Sequence, residues 1–364
     1  MTTQFFTPAE VFPPGDFLRE ELDERGWTVT EFAEIIGRPV QMVSEILNAK
    51  KEITTETAQE LAEALGTSPE LWLNLQRDYW LFAARQRPAE NLRPVARRAR
   101  LRDLLPVAKA RSRGWLPDTD DLDELENSVR SLLELDSLGD EPSFALAARR
   151  ANTSEKITPE QTAWLGYVRS TARAEVGDLP RFDRNALEAL AAEIPSRTEE
   201  GPSQLVRLLP ELAECGVLLL FAEGLPGGKL DGAVTFVSER PVIGLTTRGD
   251  RFDSVLFTLL HECAHLVLGH VTAEGPSIVD DDVRGAQLDE IEVEANETAD
   301  RWLFPDGFPR RPASTAAILE TAKEYRVHPS VVIGRVQYET GNWRTYRKHV
   351  SKVRETLTDA GVMS

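Results

Sequence analysis

Cysteine is almost missing from this chain. Cys215 and Cys263 are the only two among 364 residues, which excludes a disulfide framework and any zinc site built from cysteines alone. Positive charge is also scarce. With 42 Lys and Arg against 60 Asp and Glu, the formal net charge is −18, the balance of a soluble protein that does not adhere broadly to nucleic acid or anionic lipid. That balance leaves room for a local DNA-binding surface. No apolar run approaches the roughly 20 residues needed to span a bilayer. The start, "MTTQFFTPAEVFPPGD", has neither the basic opening nor the long apolar stretch of a secretion signal. A cytoplasmic protein with no membrane partner is expected. Tandem repeats and low-complexity tracts are lacking too, and the length favours more than one core.

What is present falls into four stretches. Residues 1–80 are dense in helical periodicity and read as an all-α domain. Residues 81–180 read as a helical connector. Within it, the segment 85–113 carries ten Lys or Arg against two acids, and "PDTDDLDELE" then opens a helix. Residues 181–310 read as an α+β core: helical patterns continue to about residue 213, after which "GVLLLF", "GAVTFV" and "PVIGLT" are short β-type runs between Gly-rich turns. An acidic loop near 272–289 follows its long apolar helix, and residues 311–364 form a helical extension.

"FTLLHECAHLVLGH", Phe257 to His270, carries the chemistry. Val255, Leu256, Leu259, Leu260, Leu266, Val267 and Leu268 cover most of a helix, which is therefore buried rather than amphipathic. Residues i and i+4 share a face, so His261 and His265 can aim their rings at one point. Imidazole nitrogens suit Zn2+, and a buried apolar helix is a costly place for two of them without a partner. Glu262 stands one residue round, where its carboxylate can deprotonate a water activated by the metal without taking a coordination place. A third ligand should come from another element, and "LDEIEVEANETADRWLFP" offers Glu292 and Glu294. Glu292 is preferred, because Asn296 one turn on can then hydrogen-bond a ligand histidine. Ala295 and Ala299 would let this helix lie close to the first. Cys263 faces away from the histidines toward the core, His270 reads as a residue of the helix end, and His328 as a helix entry. "PVIGLT" is read either as a core strand or as an exposed strand beside the cleft that could pair with an extended substrate.

HECAH, the preceding "PVIGLT" and the E-x-E-A-N segment followed by "WLFP" resemble the ImmA/IrrE family of zinc metallopeptidases over about residues 200–307. The resemblance implies a zincin-like metallopeptidase domain with Glu292 as third ligand. It further implies a substrate among regulatory proteins of the repressor or antitoxin class. Trp302-Leu303-Phe304-Pro305 departs from the family's usual L-L-M-P-like end, which concerns packing rather than the ligand set.

The front stretch parses into five short helices. Thr28 and Glu31 make a capping box for the second, Gly37 ends it, and a third runs from about Pro39 to Leu47. Ser68 with Pro69 starts the last. Helix, Gly-containing turn, helix is a helix-turn-helix. "SEILNAKKEIT" and "ALGTSPELWLNLQ" resemble the XRE-class DNA-binding domain, and more narrowly its HigA-type antitoxin branch. The resemblance places the third helix in a major groove of operator DNA. Arg38, Gln41, Met42 and Glu45 are then candidates for base edges, and Ser44, Asn48, Lys50 and Lys51 for phosphates. Residues 1–75 hold only five Lys or Arg against fourteen acids, so tight binding would call on a homodimer or on the Arg-rich 85–113 segment. The stretch from Gly114–Leu116 through Trp164 resembles the connector that joins such a head to an ImmA/IrrE peptidase. Together these readings describe a DNA-binding transcriptional regulator carrying a zinc endopeptidase, with Glu262 as the base. The alternative is a non-enzymatic, antitoxin-like repressor that uses the back half as a sensor or partner-binding module.

Overall fold

The computed structural model describes residues 11–86, 93–147, 149–150, 157–273, 277–280, 290–308, 312 and 314–363. Part of the basic segment (87–92) and most of the acidic loop (274–276 and 281–289) lie outside them. The chain forms two compact units, Met1–Pro94 and Val95–Ser364.

The first unit holds α1 (Pro14–Arg25), α2 (Val29–Ile35), α3 (Val40–Leu47), α4 (Thr55–Leu65) and α5 (Pro69–Gln86). The local signals act as the sequence suggests. The Thr28 hydroxyl accepts from the Glu31 backbone N–H, and the Glu31 carboxylate accepts from Thr28 N–H at 2.8 Å. Leu18, Phe32, Val43, Ile46, Leu61 and Trp72 meet in one core. Gly15 lets α1 rest on the end of α3, since a Cβ there would lie 2.4 Å from the Leu47 carbonyl oxygen. Gly37 follows α2 in the left-handed region, with φ of 66°, and turns the chain into α3.

In the second unit α6 (Arg93–Leu104), α7 (Val107–Ser112), α8 (Leu122–Leu133), α9 (Ser143–Ala147) and the short strand β1 (Arg149–Arg150) precede α10 (Pro159–Glu175), α11 (Arg184–Glu193) and α12 (Ser203–Glu214). Strands β2 (Leu218–Phe221), β3 (Gly232–Val237) and β4 (Arg240–Leu245) lead into α13 (Phe252–Leu268) and β5 (Ile278–Asp280). The chain continues through α14 (Glu290–Leu303), α15 (Thr315–Tyr325), α16 (Pro329–Thr340) and α17 (Arg354–Asp359). The sheet order is β1-β5-β3-β4-β2, with β2 parallel to β4, and β3 antiparallel to both β4 and β5.

Both faces of this sheet are covered. Side chains alternate along a strand, and β4 sends Val242 into a core with Trp164, Leu133 and Leu105, while Ile243 and Leu245 enter the core with Phe252, Leu259 and Val332. The segment expected to be a connector is thus one cover of the sheet. Trp164 of α10 seats against Gly244, where a Cβ would come within 2.7 Å of its ring, and its indole N–H donates to the Ala222 carbonyl at 2.9 Å. The tail joins the opposite cover through Ile333, Val353 and Leu357. Of the two readings of "PVIGLT" the core strand is the one that holds: β4 is interior, flanked by β2 and β3, and has no free edge for a substrate strand. A strand buried on two faces reads as a continuous apolar run, and that is what this one is.

Candidate functional site

Helix α13 is buried along most of its length, and it places His261 and His265 on one face, both at 0% exposure. Their Nε2 atoms are 2.9 Å apart. Glu292 of α14, also at 0% exposure, closes the triangle with Oε2 3.2 Å from His261 Nε2 and Oε1 3.4 Å from His265 Nε2. Ala295 and Ala299 are fully buried on α14, small enough to let it pack beside α13. Burial works against an ionised Glu292, yet the two imidazoles facing it hold the carboxyl down at about 2, so it is a carboxylate at neutral pH. A zinc ion with bonds of about 2.0–2.1 Å would set tetrahedral ligand atoms about 3.3 Å apart. The three observed separations bracket that length, and two nitrogens with one carboxylate are a donor set zinc accepts. The residues therefore fit a zinc ion. Asn296 stands where the sequence puts it, with Oδ1 3.1 Å from His261 Nδ1.

Glu294, the rival ligand, is excluded from the triangle. It sits on another side of α14, 60% exposed, with Oε2 3.2 Å from His270 Nε2. His270 is more than a helix end. Gly269, with φ of 78°, turns the chain back so that His270 Nδ1 lies 3.0 Å from His265 Nδ1. Burial and the neighbouring His265 push the His270 imidazole down. Cys263 belongs to the core, where burial pushes its thiol up and leaves it inert.

Glu262, at 0% exposure, lies against β3. The backbone of Gly232 approaches so closely that a Cβ there would be 2.5 Å from Glu262 Oε1 and 2.7 Å from Thr258 Cγ2. Sequence reading missed Gly232, although a glycine opening the strand run "GAVTFV" is the signal of such a close approach. Phe257 stacks on His261, with ring centroids 6.4 Å apart. Phe257 and Thr258 also line a cavity of about 390 Å³ beside Arg248, Arg251 and Trp343, one helical turn from the centre.

In the first unit Gln41 on α3, and Asn48, Lys50 and Lys51 just after it, face solvent, with Ser44 and Glu45 half-buried. Gln41 Nε2 donates to Glu45 Oε1 at 3.0 Å, and Asn48 Nδ2 to the Ser44 carbonyl at 2.7 Å. Two expected base readers have partners within the chain. Arg38 is engaged by Glu60 of α4, donating from Nε at 2.9 Å and Nη2 at 2.6 Å, with Glu56 2.9 Å away. Met42 turns inward and packs against the core. The basic segment is likewise engaged within its own unit. Arg97 pairs with Asp123 and Glu126, Lys109 with Glu160, and Arg113 with Glu223. Arg100 donates to the Leu138 and Asp140 carbonyls.

The Helix-turn-helix family matches residues 18–72, the span from α1 into α5. Over 71 residues the chain is 38% identical to the uncharacterized HTH-type transcriptional regulator YddM of Escherichia coli K12, covering 20% of this chain and 76% of that protein. Over 82 residues it is 37% identical to antitoxin HigA-1 of Vibrio cholerae, covering 22% of this chain and 77% of the antitoxin. The chain belongs, through this front unit, to the helix-turn-helix family. Solved structures similar to it include an addiction module antidote protein of a HigA family from Coxiella burnetii (35% identity, 22% of this chain and 90% of that one, TM-score 0.21). Another is the Pseudomonas aeruginosa antitoxin HigA with the higBA promoter (26% identity, 23% and 91%, TM-score 0.22). Among the described residues no helix is long and apolar enough to cross a membrane.

Proposed function

We propose that the second unit is a zinc endopeptidase of the zincin-like ImmA/IrrE kind, tethered to an operator-reading head, and that it cuts a regulatory protein of the repressor or antitoxin class. The observation that carries this reading is the convergence of His261 Nε2, His265 Nε2 and a Glu292 oxygen within 4.8 Å of one another, with buried Glu262 next along the helix from His261. His261, His265 and Glu292 would hold the ion, and bound zinc supplies Lewis acidity to a peptide carbonyl and the attacking water. Glu262 takes the proton of that water and returns it to the leaving amine. The cavity one turn away is the natural place for a substrate side chain to enter. In the head, Gln41 and Glu45 face bases while Ser44, Asn48, Lys50 and Lys51 approach phosphates, with a homodimer doubling the contact; the HTH-type regulators among its relatives support this.

Glu262→Gln tests the mechanism. It should keep zinc bound and abolish cleavage when the protein is mixed with its neighbouring regulators and the fragments are weighed by mass spectrometry. Continued cutting by that variant would sink the mechanism. One observation favours the second reading, an antitoxin-like repressor with a sensing metal centre. His261, Glu262, His265 and Glu292 all have 0% exposure, whereas a working hydrolytic site keeps one coordination place open. Under that reading neither wild type nor variant cleaves anything.

A further inference from the structure

The imidazole of His270 and the carboxylate of Glu294 lie outside the ligand triangle, yet they are joined to it in a line. From the surface inward, Glu294 Oε2 is 3.2 Å from His270 Nε2, and His270 Nδ1 is 3.0 Å from His265 Nδ1. His265 Nε2 then faces His261 Nε2 and Glu292. We propose that His270 is a positioning residue which, with its hydrogen held at Nε2 by Glu294, fixes His265 in the one tautomer that can bind metal. This rests on the metal-centre reading above and describes the metal-loaded centre, in which an ion stands among the three acceptor atoms where a proton is shared without it.

The proton positions follow from acceptor chemistry. An ionised carboxylate only accepts, so the His270 nitrogen facing Glu294 must carry hydrogen. A neutral imidazole has one N–H, which leaves His270 Nδ1 as a bare acceptor. His265 Nδ1 lies against that acceptor at hydrogen-bond distance, so it must be the donor. Its own Nε2 is then bare and points at the triangle. The reverse arrangement, with His270 Nδ1 donating, would put a hydrogen on His265 Nε2 and block the metal. Asn296 Oδ1 does the same for His261 through a neutral amide. The two ligands are thus oriented by different means, one by a half-buried amide and one by a line ending in a side chain that is 60% exposed. Outer partners of this kind hold ring orientation and raise ligand basicity, and losing one costs about 10- to 100-fold in metal affinity.

The experiment measures zinc affinity of the full chain by competition with a chromophoric chelator, and records imidazole N–H signals of the zinc-loaded protein by NMR. His270→Ala should weaken zinc by about 10- to 100-fold. His270→Gln, whose amide oxygen can accept from His265, should recover part of that loss. Glu294→Ala, a surface change that leaves the fold intact, should weaken zinc by about 2- to 5-fold, the size of an exposed charged contact. It should also abolish the protected Nε2–H signal of His270. Wild-type affinity and an unchanged His265 Nδ1–H signal in all three variants would overturn the positioning role and leave the metal centre standing. Failure of the wild-type chain itself to bind zinc would overturn the metal centre, and this inference with it.

Discussion

Gly232 and Glu262 show how much of the site depends on a missing atom. The carboxylate of Glu262 occupies space that any other residue at 232 would fill, with Oε1 2.5 Å from the place of a Cβ. Gly232→Ala should therefore displace Glu262 while leaving the three ligand atoms in place. The expected outcome is full zinc content, a loss of about 1–3 kcal/mol in denaturant unfolding from overpacking, and cleavage reduced toward the level of Glu262→Gln. An alanine variant that cuts as fast as wild type would show that Glu262 does not need its present location. At this scale the meeting of His261 and His265 was legible, because spacing of four on a helix fixes which rings converge, and the place of Asn296 followed from the same arithmetic. His270 was not. Five residues beyond His265, it reaches back only because Gly269 turns the chain left-handed at the helix end, and spacing carries no information about that turn. The partner of Arg38 was hidden for a related reason: nothing local announces that Glu60, 22 residues on, will meet it.

Among the elements, α16 offers a titratable cap. His328 precedes it, and its Nδ1 accepts from the Ser330 N–H at 3.1 Å, a role only the neutral ring can play. Burial pushes the His328 imidazole down, with Asp253 pulling more weakly the other way. A histidine whose folded value lies below its unfolded one takes up more protons when unfolded, so stability rises with pH across that interval. Acidification should accordingly weaken the second unit as pH falls below about 6.5, the unfolded value. His328→Asn, which keeps a capping acceptor without titrating there, should flatten that part of the profile. Thermal unfolding from pH 7.5 to 5 measures it, and a variant with the wild-type slope would refute the assignment. The helices of the front unit were legible down to their caps, since Thr28, Gly37 and Pro69 act on their own neighbourhoods. Strand β4 was ambiguous, because a run of apolar residues says that both faces are buried or that one edge is sticky, and only the order of strands decides.

Taken whole, the chain has two compact units with separate cores, and the proposed zinc belongs to one of them. Calorimetry should show a transition that responds to metal and one that does not. Zinc at 100 times its dissociation constant would stabilise the responsive unit by about 2.7 kcal/mol. Adding a strong chelator should lower that transition alone, and a shift of both, or of neither, would contradict the assignment of the ion to the second unit. Texture marks off a connector, an α+β core and a tail along this stretch, and the three pack into one compact unit because helices without chemistry of their own still supply surface to a sheet.

The seat of Trp164 on Gly244 has a practical side. Anyone wishing to work with the proposed metal-binding core alone would be tempted to begin near residue 181, just ahead of the helices that lead into β2. Such a truncated protein would strip one side of the sheet and leave Leu218, Ala233, Val242 and Val279 wet, a greasy panel of the sort that drives clumping. The piece to purify starts near residue 95.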